Sequence, residues 1–290
     1  MIFSTQPLQK SPIHIISFGS DMKYQRLSKR LLSKLKIIYP NANTYVFTPK
    51  ELPIKIRNYA TTYPRGYGYW SWKPFLVLKM LNRVEEDDVL LYIDGRTGAP
   101  IDRRIDWFDQ FLSDNEYLIA AWQMNHKEYA WTSGDLFYEF SLEQNSKEAE
   151  SGQYAATFFA LRNTKQIRQL VKRWYEVVWY KSHLCRDEKS LKKCHPDYVE
   201  NRHDQSVFSL LVKWQFRQSS RTLLTVLDHQ IYSPSSIQPQ RKPHPDTFWT
   251  LETLLTYGKV FLKEHTNSFL WNLLREIKKK LIKFLFSRRA

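Results

Sequence analysis

Four short stretches gather the residue types that do chemistry. The run Val89-Leu-Leu-Tyr-Ile-Asp-Gly95 carries five apolar residues straight into the carboxylate of Asp94. Strands of a parallel sheet are buried on both faces, and ligands sit beyond their carboxyl ends. An acid at that point is placed to ligate a divalent cation, which would in turn bind a diphosphate; a turn or a helix cap is its plainer use. The stretch Arg65-Gly-Tyr-Gly-Tyr-Trp-Ser-Trp-Lys-Pro74 sets Trp70 and Trp72 among Arg65 and Lys73. Rings of this kind stack on a base or sugar while the cations meet phosphate, or else they pack under a loop. In Glu200-Asn-Arg-His-Asp-Gln-Ser206, the residues Arg202, His203, Asp204 and Gln205 stand directly before an apolar helix. A cap accounts for one of them, and a buried carboxylate flanked by His and Arg has the makings of a general base or charge stabiliser. Finally, Gln153 comes before a strand whose small residues Ala155 and Ala156 leave room for a ligand.

These residues need elements to hold them. Ile13–Phe18 reads as a first strand, Leu27, Leu31, Leu32, Leu35 and Ile38 recur at helical spacing over 23–38, and Tyr45–Phe47 reads as a second strand. This β-α-β order opens an α/β sheet. A helix over Pro74–Leu81 leads to the strand Val89–Ile93. Further strands are expected at Tyr117–Ala121, Tyr154–Leu161 and Leu223–Leu227, with helices around Ile167–Trp179 and Gln205–Val212 and a polar loop over 181–200. The Gly-x-Gly at Gly66–Gly68 lacks the preceding strand of a dinucleotide fingerprint.

Composition narrows the class. A chain of 290 residues can bury a large core, and 42% apolar content with 25% charge is ordinary for a globular protein. Two cysteines make no disulfide framework and fit a reducing cytosol, and the N-terminus lacks the apolar core of a secretory signal. His183, Cys185, Cys194 and His195 are zinc-ligand types, but their spacing matches no common finger, so both cysteines are read as free thiols. The net charge is +15, and residues 241–290 alone hold 11 Lys/Arg against 4 Asp/Glu. In 268–290 an apolar face is set against Arg275, Lys278, Lys279, Lys280 and Lys283, with Trp271 suited to a water–lipid boundary. Such a helix is expected to lie on an anionic membrane surface, each basic residue contributing about 1 kcal/mol; a terminal helix with a solvated basic face is the alternative. Pro- and Ser-rich residues 233–246 read as a linker, dividing a domain over 1–232 from a basic helical extension over 247–290. Basic residues form no recognisable nucleic-acid module, so no nucleic-acid partner is expected.

The combination of Arg65–Pro74, Asp88–Gly95, Trp131–Phe137, Gln153 with Leu161–Thr164, and Asn201–Leu211 resembles a family of bacterial glycosyltransferases of the GT-A fold, found in capsule, lipopolysaccharide and other surface-glycan gene clusters. The likeness covers about residues 12–230. It implies an open, mostly parallel central sheet flanked by helices, here with a C-terminal amphipathic helical extension. It also implies a nucleotide-sugar donor, a divalent metal (Mn²⁺ or Mg²⁺), and a glycan or lipid-linked acceptor. With the basic extension, the expected location is cytoplasmic, peripheral on the inner face of the cell membrane. On that resemblance Asp94 matches the first acid of an Asp-x-Asp motif that binds metal and donor. Arg65, Trp70, Trp72 and Lys73 match the donor-side aromatic motif. Asp204, with His203 beside it and Arg202 and Gln205 on the donor side, lies in the His-Asp-Gln motif near the reacting centre, and Gln153 matches the acceptor-side strand. The departure is Arg96, a guanidinium where the second acid would stand; it is able to neutralise a leaving diphosphate by itself. A non-catalytic glycan- or nucleotide-binding scaffold on the same fold is the alternative.

Overall fold

The computed structural model describes residues 11–95, 102–217 and 222–227. Arg96, the linker 233–246, and the extension 247–290 with Trp271 and its lysines lie outside the described residues.

The chain opens with β1 (Ile13–Phe18), α1 (Met22–Ile38) and β2 (Asn43–Phe47). Asp21 caps α1 by accepting from the backbone N–H groups of Lys23 and Tyr24. Then come α2 (Ile54–Thr62), the four-residue turn α3 (Gly66–Tyr69), α4 (Trp72–Leu81) and β3 (Val89–Ile93). After α5 (Asp102–Ser113) and β4 (Ile119–Lys127), three short helices, α6 (Glu128–Trp131), α7 (Gly134–Glu139) and α8 (Lys147–Glu150), lead to β5 (Gly152–Arg162). The described part ends with α9 (Lys165–Tyr180), α10 (Asp204–Phe216) and β6 (Leu223–Leu227).

The strands form one six-stranded sheet in the order β2-β1-β3-β5-β4-β6. All run parallel except β5, which is antiparallel to both β3 and β4. The reversal has a local cause. A parallel return needs a crossover to the far end of the sheet, but the segment 128–151 stays at the carboxyl end of β4, where Glu128 N–H donates to Ser151 O at 3.0 Å and Lys127 pairs with Gly152. The expected mostly parallel sheet flanked by helices is therefore present, with one strand turned back.

Strand alternation divides the core in two. Ile15, Val89, Leu91 and Ile93 pack under Leu31, Leu32 and Leu35 of α1 and Trp107, Phe108 and Phe111 of α5. Ile16, Phe18, Leu90 and Tyr92 face the other way, into the layer made by α4, α9 and α10. β3 is buried on both faces, which is why it reads as an unbroken apolar run.

Candidate active site

Alternation along β3 also decides where Asp94 points. Tyr92 faces the α4/α9/α10 layer, so Asp94, two residues on, emerges on the same side at the carboxyl end of the strand, its own N–H donating to Thr157 O at 2.9 Å. The glycine after it has a steric reason: a Cβ on Gly95 would stand 2.8 Å from Ser28 N, so only glycine lets the strand end close against α1. On that side Lys73 projects from the first turn of α4, and Asp204 opens α10.

These three side chains meet. Lys73 Nζ lies 3.2 Å from Asp204 Oδ2 and 3.8 Å from Asp94 Oδ2, and donates to Ala156 O at 3.0 Å. The Tyr92 hydroxyl donates to Asp94 Oδ1. Lys73 is 2% exposed and its ammonium lies 5.2 Å from the Tyr92 ring centre. Asp94 is the member solvent reaches, with 23% of its side chain exposed, whereas Asp204 keeps only 4%. Burial pushes the Asp204 carboxyl up to about 7, against the pull of Lys73 and with a further push from Asp94. Asp204 is thus gathered with Asp94, but as a nearly sealed group: it acts on Lys73 directly and on anything outside only through it.

The aromatic stretch takes an unusual backbone. Gly66, Tyr67, Gly68, Tyr69 and Trp70 all have positive φ, making a left-handed turn. For the three residues with a Cβ this conformation costs about 1–2 kcal/mol each, so surrounding contacts must hold it. Arg65 Nη1 lies 2.5 Å from Asp187 Oδ1, and Tyr69 OH donates to Asp187 Oδ2 at 3.0 Å. Trp70 stacks on the His203 ring at 5.3 Å between centroids, with Tyr69 at 5.0 Å. Trp72, expected as a stacking platform, instead packs on Phe18 at 4.0 Å and donates from Nε1 to Gly66 O at 3.1 Å; it is 5% exposed and serves the core.

His203 also sits at positive φ (55°), immediately before α10. Its Nδ1 is 2.7 Å from Cys185 O, which fixes that nitrogen as the protonated one, and burial pushes the imidazole down. The ring is thereby a neutral wedge between the aromatic turn and α10, with Nε2 3.7 Å from Asp187. Arg202 lays its guanidinium over Trp131 at 4.2 Å.

Gln153 lies inside β5 rather than before it and is fully buried. Its amide nitrogen reaches Glu128 Oε1 and Trp131 O, both at 3.1 Å, while its oxygen accepts from Gln205 Nε2 at 2.7 Å. Gln205 Oε1 in turn accepts from Ala156 N–H at 3.2 Å. The space beside Ala156 that was expected for a ligand is taken by Gln205 and Lys73, so Gln153 and Gln205 act here as braces between β5 and α10.

Beneath them is an ion pair that sequence reasoning missed. Lys213 Nζ lies 2.7 Å from Glu128 Oε2, both side chains almost fully buried, and Ser209 Oγ donates to the same carboxylate while accepting from Tyr154 N–H at 2.7 Å. The signal was a lone lysine in the apolar run Val207–Phe216. Asp187, inside a loop read only as polar, was missed too. Of the zinc-type residues, Cys185 is buried in the core and Cys194 accepts from Gly134 N–H. Among the described residues no three His, Cys, Asp or Glu side chains form a group able to hold a metal.

The fit of a divalent cation at Asp94 fails on the same chemistry. Mn²⁺ and Mg²⁺ want several oxygen ligands, yet among the described residues one Asp94 oxygen accepts from Tyr92, the other lies 3.8 Å from the Lys73 ammonium, and that ammonium also pairs with Asp204 at 3.2 Å. The described residues do not fit the ion, and no step is routed through it. A separate groove of about 440 Å³ between α4 and α9, lined by Asn82, Lys165, Arg168, Tyr175 and Tyr180 among others, contains none of these side chains.

No protein-family model matches this chain, and no curated protein matches its sequence. Among solved structures it is similar to a glycosyltransferase involved in the glycosylation of the major capsid of PBCV-1, at 16% identity with a TM-score of 0.34, over 58% of this chain and 66% of that one. It is also similar to the apo form of mouse xyloside xylosyltransferase 1, at 13% identity with a TM-score of 0.37, over 76% of this chain and 85% of that one.

Proposed function

We propose that this protein is a nucleotide-sugar-dependent glycosyltransferase that moves a sugar to a glycan or lipid-linked acceptor in bacterial surface-polysaccharide synthesis. One observation carries the reading. Acids from two distant stretches, Asp94 at the carboxyl end of a central strand and Asp204 at the start of α10, converge on Lys73 of the aromatic stretch. Carboxyl ends of parallel strands are where open α/β sheets bind ligands.

In sugar transfer, positive charge builds on the ring and negative charge on the departing diphosphate. Asp94, the solvent-reachable carboxylate, serves the first need. Arg65, half exposed beside the aromatic turn, and Arg96 serve the second. Asp204 and Lys73 fix the orientation of Asp94, and the half-buried Trp70, stacked on His203, stands beside them in the aromatic turn. The cationic segment 268–290, with Trp271, Arg275, Lys278, Lys279, Lys280 and Lys283, would hold the enzyme at the inner face of the cell membrane, where lipid-linked acceptors are presented.

The deciding experiment is a donor panel. The full chain is incubated with UDP-, GDP- and CMP-sugars and nucleotide release is followed, with isothermal titration of the same nucleotides. One donor class should be bound and slowly hydrolysed, and Asp94→Asn should lower that turnover by at least about 100-fold. No binding heat and no release with any nucleotide would end the proposal. The near-complete burial of Asp204 favours a second reading, a nucleotide-sugar-binding scaffold without turnover; binding without release selects it. Equal pelleting on anionic vesicles of the wild type and a chain ending before Phe269 would remove the membrane role.

A further inference from the structure

We propose that Lys73 is the built-in cation of this site, its ammonium holding the place between Asp94 and Asp204 that a divalent ion would otherwise take, so that a nucleoside-diphosphate donor binds without added metal. The identity of the donor rests on the glycosyltransferase reading, whereas the place of the cation rests on the geometry of three side chains.

An ammonium has three hydrogens. Lys73 donates to Ala156 O at 3.0 Å, and its Nζ lies 3.2 Å from Asp204 Oδ2 and 3.8 Å from Asp94 Oδ2, so the ammonium stands between the two acids. At 2% exposure Lys73 is withdrawn from water, and Asp204 and Asp94 are the anionic partners it meets there. The ammonium offsets part of their negative charge, while burial still pushes the Asp204 carboxyl up to about 7. A metal ion approaching Asp94 would meet the ammonium beside one carboxylate oxygen and share the other oxygen with the Tyr92 hydroxyl.

The same geometry says what happens when the ammonium is removed. With alanine or methionine at position 73, two carboxylates face a vacated space and water can enter it, which is a donor set for a hard cation. Lys73 therefore excludes metal by occupying its place, and a variant without it should acquire a metal site.

The test uses the full-length, chelator-washed protein and Mn²⁺ alone, with free Mn²⁺ followed by electron paramagnetic resonance. The wild type and Lys73→Arg should show no stoichiometric site. Lys73→Ala and Lys73→Met should each gain one, at least about tenfold tighter than any binding to the wild type. A stoichiometric Mn²⁺ site in the wild type overturns the proposal, as does the absence of any gain in a variant whose circular dichroism and melting are those of a folded protein. Should neither variant fold, the wild type still decides through a second measurement. UDP or GDP affinity should change by less than about twofold between Mn²⁺ and chelator, and a loss of more than about tenfold on chelation overturns the proposal. Failure of every nucleotide to bind would count against the glycosyltransferase reading instead, leaving the Mn²⁺ result to report on the cation.

Discussion

Replacing Lys213 by methionine keeps most of the side-chain volume and removes one charge from a deeply buried ion pair. Glu128, fully buried, would then lose the one cation that pairs with it among the described residues, since Lys213 at 2.7 Å is its counter-ion and Ser209 and Gln153 supply only neutral hydrogen bonds. Breaking one side of such a pair costs about 3–5 kcal/mol, most of it the cost of an uncompensated buried charge. For a domain of this size that is a fall in Tm of roughly 10 °C. Yet the intact pair is itself no large source of stability: burial pushes the Lys213 ammonium down even with Glu128 beside it, so desolvation outweighs the attraction. The double variant Glu128→Gln/Lys213→Met should accordingly recover most of the loss. Thermal and urea unfolding of wild type, both single variants and the double variant form one thermodynamic cycle. A Lys213→Met protein as stable as the wild type, or a double variant no better than the single one, would refute the reasoning.

Two further outcomes follow from the site. Asp204 has a folded-state pKa of about 7, above its ordinary carboxylate value, so the folded protein holds this proton more tightly than the unfolded chain. The stability it contributes is full at low pH, declines as pH rises from the usual carboxylate range to about 7, and is flat above. Asp204→Asn, a permanent stand-in for the neutral acid, should therefore gain in urea stability relative to the wild type between pH 5 and pH 8; an unchanged difference would mean that this carboxyl is not perturbed. Asp187→Ala removes the partner of Arg65 and Tyr69 from an exposed position. Global stability should change by under about 1 kcal/mol, as for other surface pairs, while hydrogen exchange at residues 66–71 rises and Trp70 fluorescence shifts. Unaltered exchange there would show that stacking on His203 alone holds the left-handed turn.

The strands and long helices were legible because their periodicities are local. β1, β3 and β5 are apolar runs, and α1 and α9 show a clear apolar stripe, as physics of burial on one or two faces requires. The short helices α6, α7 and α8 were not legible because elements of one or two turns have too few residues for a period to register, whereas α5, at 12 residues, is long enough to show one and was not read. The reversal of β5 could not be read either, since a buried strand has the same composition in both directions.

By itself the sequence determined which stretches carry the candidate chemistry: an acid after a buried strand, cations among rings, and a polar cluster before an apolar helix, each marked by residue type against its local background. Tertiary structure alone decided what those residues do to one another. It put Lys73 between two acids that lie 110 residues apart, turned Trp72 into core and Gln153 into a brace, and paired Glu128 with Lys213. The reason is that charge pairing and desolvation depend on distances across the fold, which no spacing along the chain encodes.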